Sequence, residues 1–351
     1  MTSKPNTKIY SKSLRVSTLL ASTIRKLGSL KNTNPEQEAL DILSSVLSKS
    51  RSWLYTHGDE TVNARDNARI KLILFRRLNG EPLAYVLGKM VFGDLTLAIN
   101  RSVLVPRPAT EILINAAEKL IDLIPKAPPP CHCESIRQTG SRRSSTPPVL
   151  PLARGGEGGV KVSIGLRSLS RAREGAYLAM TNEVHIIEVG TGSGVIAISL
   201  GLYCQNQKIA ASITASDISP AALKVAQRNI AQQNLKSVIQ VRRANLLAAA
   251  KKPADIIVAN LPYLSPKDAR GLADPRPALV GGRNGDELIT ALLGQISRKK
   301  ILKPQGAIAL EIGHAQADSI TRQAKKLFPG ARVRIVKDFE GWPRILTIQL
   351  P

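Results

Sequence analysis

From residue 183 to the C-terminus the chain alternates short apolar runs with amphipathic stretches, and this alternation restricts the fold more than any other feature. Val184-His185-Ile186-Ile187-Glu188-Val189 is nearly continuous in apolar residues and stops at Gly190-Thr191-Gly192-Ser193-Gly194. Such a run reads as a strand covered on both faces. An apolar helix is expected over 195–202. The strand at 212–216 ends in Asp217, and Ser219-Pro220 supplies the cap and first turn of a helix reaching Gln233. Residues 238–242 and 255–259 read as the third and fourth strands, 287–298 as a helix and 306–312 as a fifth strand. Residues 333–336 and 345–350 read as a terminal antiparallel pair. Strands alternating with helices predict an α/β fold, with a mostly parallel sheet covered on both sides.

The fourth strand runs into Asn260-Leu261-Pro262-Tyr263. Proline has no N–H for a sheet ladder, so the strand must end there. The carboxyl ends of strands are where open α/β sheets bind ligands. An amide, a free backbone carbonyl and an aromatic ring therefore arrive together at a binding position. Asn260 and the carbonyl of Leu261 are placed to take both hydrogens of an –NH2 group, and the ring of Tyr263 to cover a planar one.

Upstream, the pattern is helical. Residues 1–35 hold seven Lys or Arg and no acid, a composition shared with organellar transit peptides. Leu19, Leu20, Ile24 and Leu27 nevertheless have helix spacing, so a first helix over 16–30 is the favoured reading. Asn34-Pro35-Glu36-Gln37 is a helix start, followed by Ala39, Leu40, Leu43, Val46 and Leu47 on one face. A further helix carries Ile70, Ile73, Leu74 and Leu78. Gly80 to Gly88 reads as a loop, Gly93-Asp94 as a hairpin turn, and residues 103–111 as opening a helix to about Leu123, its start set by Thr110 or by the pair Pro106 and Pro108. The expected domains are a helical one at 1–84, a β-hairpin linker at 85–106 and an α/β domain at 107–351. Within the last, residues 125–182 hold seven prolines, seven glycines and nine Lys or Arg against three Glu, too little apolar content for a core. They are expected to form a disordered basic insertion.

The net charge of +24 over 351 residues predicts attraction to a polyanion such as RNA, without making RNA the substrate. Three cysteines, Cys131, Cys133 and Cys204, make no disulfide framework and point to a reducing, cytoplasmic compartment. Cys131-His132-Cys133 lacks a second ligand pair, so no metal is expected. No apolar run reaches the length of a membrane span. A monomer is expected.

The glycine turn lets the backbone approach a ligand, and Asp217, at the end of the next strand, suits the two hydroxyls of a ribose. Glu188 stands just before the turn, where it would repel a pyrophosphate but pair with an ammonium. That favours S-adenosyl-L-methionine over a dinucleotide.

In these motifs the chain resembles the release-factor glutamine methyltransferases, the HemK/PrmC family. Matching stretches are 80–88, 105–111, 188–194, 217–229, 260–263, 278–285 and 310–316. The resemblance implies a helical, substrate-docking N-terminal domain, a hairpin linker and a seven-stranded Rossmann-like class I methyltransferase domain. It implies methylation of the glutamine side-chain amide in the Gly-Gly-Gln loop of peptide chain release factors. By position, Glu188, Gly190, Thr191, Gly192, Ser193, Gly194, Asp217, Asn245, Leu246 and Asn260 would contact the cofactor. Asn260, Leu261, Pro262 and Tyr263 would form the catalytic and substrate-binding slot. The chain departs from the family at Leu261, where proline is usual, at Ala109, where an acid is common, and at Asn245-Leu246, which replace an acid–aromatic pair. Asn-Leu-Pro-Tyr is also the form in ribosomal-RNA adenine dimethyltransferases, so methylation of adenine in RNA or DNA is the alternative. The expected chemistry is in-line displacement without a strong general base, with His185 and His314 structural.

Overall fold

A computed structural model describes residues 14–31, 33–125 and 183–351. The basic start, Cys131-His132-Cys133 and the insertion from 126 to 182 lie outside the described residues.

The N-terminal part is helical: α1 (Val16–Leu27), α2 (Pro35–Leu47), α3 (Arg51–Thr56) and α4 (Ala64–Leu78), with a small pairing of β1 (Leu14–Arg15) and β2 (Thr61–Val62). The predicted start of α2 holds, since the Asn34 side chain accepts from the Gln37 N–H and Pro35 occupies the first turn. Leu27, Ile42, Leu43, Leu54 and Ile70 close a core of their own. One expectation is corrected: within Gly80 to Gly88, Leu83–Leu87 forms a short helix, α5, bounded by Pro82 and Gly88. The hairpin follows as β3 (Lys89–Phe92) and β4 (Leu95–Ala98), turning on Gly93-Asp94 as read from the sequence.

α6 (Pro108–Asp122) leads to the α/β part. Its elements are β5 (Val184–Val189), α7 (Val195–Asn206), β6 (Ala211–Asp217), α8 (Pro220–Gln232), β7 (Ile239–Arg243), β8 (Ala254–Ala259), α9 (Glu287–Lys299), β9 (Leu302–Glu311), α10 (Ala317–Leu327), β10 (Arg332–Lys337) and β11 (Pro343–Gln349). The seven strands form one sheet in the order β10-β11-β9-β8-β5-β6-β7. The five strands β5 to β9 are parallel, and β11 and β10 complete the sheet as antiparallel neighbours. This is the seven-stranded Rossmann-like class I methyltransferase fold. Ile186, Ile256, Ile257, Val258 and Ile308 are fully or almost fully buried, which explains why these strands read as continuous apolar runs rather than alternating ones.

The order matters for function. From β5 the chain builds outward through β6 and β7, then crosses back to lay β8 on the other side of β5. The crossing opens a crevice beyond the carboxyl ends of β5 and β8, where doubly wound sheets bind ligands.

Candidate functional site

The glycine turn and the Asn-Leu-Pro-Tyr turn share that crevice. Val189 pairs with Ala259, so the two adjacent strands end level. The N–H groups of Gly190 and Thr191 both donate to the Ser216 carbonyl at 2.8 Å, tying the turn to β6. Gly190 has φ +78°, and a Cβ there would sit 3.0 Å from Leu261 Cδ2 and 3.6 Å from the Asn260 carbonyl oxygen. Glycine is thus needed both for the left-handed backbone and for the closeness of the second turn.

Around them lies a cavity of about 460 Å³, within the usual range for small-molecule sites. Gly190, Gly192, Asp217, Asn245, Leu246, Asn260, Leu261 and Pro262 are on its wall. The Asp217 carboxylate is fixed by two backbone donors, Gly192 N–H to Oδ2 and Ser219 N–H to Oδ1, each 2.9 Å long. Lone pairs remain on both oxygens for a ligand. Five predicted residues are not on its wall: Glu188 and Tyr263, described below, Thr191 and Ser193, which are buried within the turn, and Gly194, which lies against Ala226 of α8.

Glu188 lies under the turn, fully buried. Its Oε2 accepts from the Thr191 hydroxyl at 2.6 Å and the Ala197 N–H at 3.2 Å, while Oε1 has no partner among the described residues. Burial pushes its carboxyl up to about 8, partly offset by those two hydrogen bonds. An unpartnered acceptor beneath the turn suits a cationic group. With the open space at Gly192 and the fixed carboxylate of Asp217, it means that the residues present fit S-adenosyl-L-methionine.

Asn260 donates from Nδ2 to Thr110 Oγ at 3.3 Å, and its Oδ1 takes no bond from the described residues. No described donor reaches the Leu261 carbonyl. Tyr263 is not on the cavity wall: its hydroxyl donates to Glu311 Oε1 at 3.2 Å and its carbonyl accepts from Gln316 Nε2 at 2.9 Å. The loop from 279 to 285 braces this turn. Leu264 donates its N–H to the Leu279 carbonyl at 2.9 Å and its carbonyl accepts from the Gly281 N–H at 3.0 Å, and a Cβ on Gly281 would lie 2.2 Å from the Pro262 carbonyl oxygen.

Several residues of the site were not found from the sequence. Ile218, 61% exposed, offers an apolar side chain to the cavity wall, and its signal was its place directly after the strand-ending acid. Val103, Leu104, Pro275 and Pro277 complete an apolar rim. Arg107 forms an ion pair with Asp274, whose other oxygen accepts from the Tyr85 hydroxyl at 2.7 Å. Asn229 of α8 exchanges hydrogen bonds with both the N–H and the carbonyl of Ala98 on β4, and donates to the Ser193 carbonyl at 2.8 Å. His185 meets Pro253 and Thr214, and His314 meets Trp342; neither is on the cavity wall.

A family model described as PrmC N-terminal domain matches residues 18–88, and one described as ribosomal protein L11 methyltransferase (PrmA) matches 165–262. A bifunctional methyltransferase of Rickettsia bellii is 30% identical over 302 residues, 85% of this chain and 48% of the relative. The chain thus spans about half the length of that relative. A release factor glutamine methyltransferase of Koribacter versatilis is 28% identical over 338 residues, covering 94% of this chain and 96% of the relative. One from Bordetella pertussis is 30% identical over 322 residues, covering 89% and 93%. With near end-to-end likeness at that level, the chain belongs to the release factor glutamine methyltransferase family.

Proposed function

We propose that the protein transfers a methyl group from S-adenosyl-L-methionine to the side-chain amide nitrogen of the glutamine in the Gly-Gly-Gln loop of peptide chain release factors. The observation that carries this reading is the pairing, in one cavity, of a nucleoside-type acid, Asp217, with two unengaged oxygen acceptors on the Asn260-Leu261 turn.

The cofactor supplies an electrophilic methyl on a sulfonium centre. Asp217 would hold the ribose hydroxyls, and Asn245, Leu246 and Ile218, on the same cavity wall, would flank the base. Gly190 and Gly192 let the backbone close on the methionine part. Glu188, buried below the turn, would pair with the ammonium, and such a cation would lower a carboxyl that burial has raised. On the substrate side, Asn260 Oδ1 accepts one amide hydrogen and the Leu261 carbonyl the other. These two bonds orient a nitrogen whose lone pair is otherwise delocalised. Holding nitrogen and carbon in line is worth roughly 7–11 kcal/mol of barrier. The proton leaves after transfer, so no strong base is required at the nitrogen. Pro262 stiffens the turn. Tyr263 serves by anchoring it to Glu311 rather than by covering the substrate.

The helical part at 1–84 is read as the substrate-docking domain and 85–106 as the linker that sets its position. The protein is read as a cytoplasmic monomer with nonspecific affinity for RNA from its charge of +24. The reading is tested by offering tritiated S-adenosyl-L-methionine with a release factor and, separately, with RNA. Label is expected in the release factor alone, and its loss in Asn260→Ala. Label in RNA but not in the release factor would overturn the reading.

A further inference from the structure

An asparagine amide turned by half a revolution keeps its shape but reverses its hydrogen-bonding sense. With Oδ1 toward the cavity, Asn260 receives an N–H; with Nδ2 there, it receives a lone pair. What fixes the choice lies behind the amide. Asn260 Nδ2 is 3.3 Å from Thr110 Oγ, Thr110 Oγ is 3.4 Å from Glu311 Oε2, and the Tyr263 hydroxyl is 3.2 Å from Glu311 Oε1. Thr110 and Glu311 are each 1% exposed, so water does not substitute for these partners.

The polarity of this chain follows from counting protons. A threonine hydroxyl has one proton to donate. An ionised Glu311 only accepts, so Thr110 and Tyr263 both donate to it. Thr110 is left with lone pairs alone for Asn260, which must then turn its –NH2 inward and its oxygen to the cavity. A protonated Glu311 donates to Thr110 instead. The Thr110 proton then points at Asn260 and favours the reversed amide.

We propose that Glu311, acting through Thr110, is the positioning residue that presents the oxygen of Asn260 to the substrate and so selects a carboxamide –NH2 over a carboxylate. This rests on the function proposed above and names its specificity device. The charged and titratable groups facing Glu311 are Tyr263 from the turn after β8, Arg107 at the head of α6 and Arg344 on β11. Burial raises the Glu311 carboxyl, the hydrogen bonds from Tyr263 and Thr110 and the two guanidiniums lower it, and the balance lies at about 7. The switch therefore operates in the neutral range, with the amide-accepting state above it.

The test uses the full chain labelled with nitrogen-15 asparagine, with the Asn260 side-chain resonances identified by their loss in Asn260→Asp. As pH is taken from about 5 to about 9, these resonances are expected to shift with a midpoint near that of Glu311 in the parent protein and in Thr110→Ser. They are expected not to titrate in Thr110→Val or Glu311→Gln. A titration that persists in either variant, or none in the parent, overturns the proposal. In parallel, kcat/KM on a Gly-Gly-Gln release factor should rise through the same midpoint and fall about tenfold or more in Thr110→Val, with cofactor affinity held. Methylation by Thr110→Val at the parent rate also overturns it. Titrating resonances with no release-factor methylation would instead sink the proposed function and leave the amide switch standing.

Discussion

Asp217 receives two backbone N–H groups and still faces the cavity, so one carboxylate shapes the glycine turn and serves the ligand. Asp217→Ala should weaken S-adenosyl-L-methionine binding by about 2–3 kcal/mol, through loss of charge-assisted hydrogen bonds; calorimetry measures it. Gly190→Ala places a Cβ against Leu261 in a left-handed backbone. It should cost roughly 1–2 kcal/mol of stability in denaturant unfolding and also lower methyl transfer. Gly190, Asp217 and Asn260 were legible because each sits in a short motif at a strand end. Thr110 and Glu311 were not: both stand in matching stretches, but their meeting joins residues 201 positions apart and nothing in either stretch pairs it with the other. The sequence suggests a Tyr263 ring over the substrate; its hydroxyl bond to Glu311 is a tertiary contact that local sequence does not show.

The strands and most helices were legible because buried parallel strands are apolar runs and α8 carries its own cap, Ser219, accepting from the Ala222 N–H at 3.2 Å. α10 was missed. Its inward residues are chiefly Ala317, Ile320 and Ala324, a narrow stripe among polar and basic neighbours. α5, five residues between Pro82 and Gly88, is too short for periodicity to show. The hairpin was legible, but not its attachment. Among the described residues Asn229 alone bonds β4 to the glycine turn, and its removal leaves the Ala98 N–H and carbonyl without that partner. Asn229→Ala is expected to cost roughly 2–4 kcal/mol. It should lower the thermal midpoint by several degrees and weaken cofactor binding, whereas a midpoint unchanged in calorimetry would show that the hairpin is held elsewhere.

The order of the seven strands was not legible, since alternation fixes the parallel class but not which side of β5 receives β8. That crossing creates the crevice, and in doing so buries two acids. Glu188 and Glu311 titrate at about 8 and about 7, both raised by burial. Between the ordinary carboxylate range and those values the folded chain binds more protons than the unfolded one. Stability should therefore be full only below the ordinary carboxylate range, decline from there as pH rises, and level off once pH passes about 7 and 8. The loss should reach a few kcal/mol, because each tenfold change in a carboxyl's proton affinity on folding is worth about 1.4 kcal/mol. Glu81 and Asp338, lowered by Arg76 and Arg344, act oppositely and lose stability below their ordinary range. Glu188→Gln should flatten the decline between the ordinary carboxylate range and about 8 in a thermal-shift series, and S-adenosyl-L-methionine should offset it in the parent protein because it binds only the folded state. The central claim is that a sulfonium nucleoside and a carboxamide meet between the 190–194 and 260–263 turns. Tandem mass spectrometry of a release factor incubated with the protein and cofactor tests it most directly. One methyl on the side-chain nitrogen of the Gly-Gly-Gln glutamine, absent with Asn260→Ala, is the predicted result; an unmodified glutamine, or a methyl that persists in that variant, contradicts it.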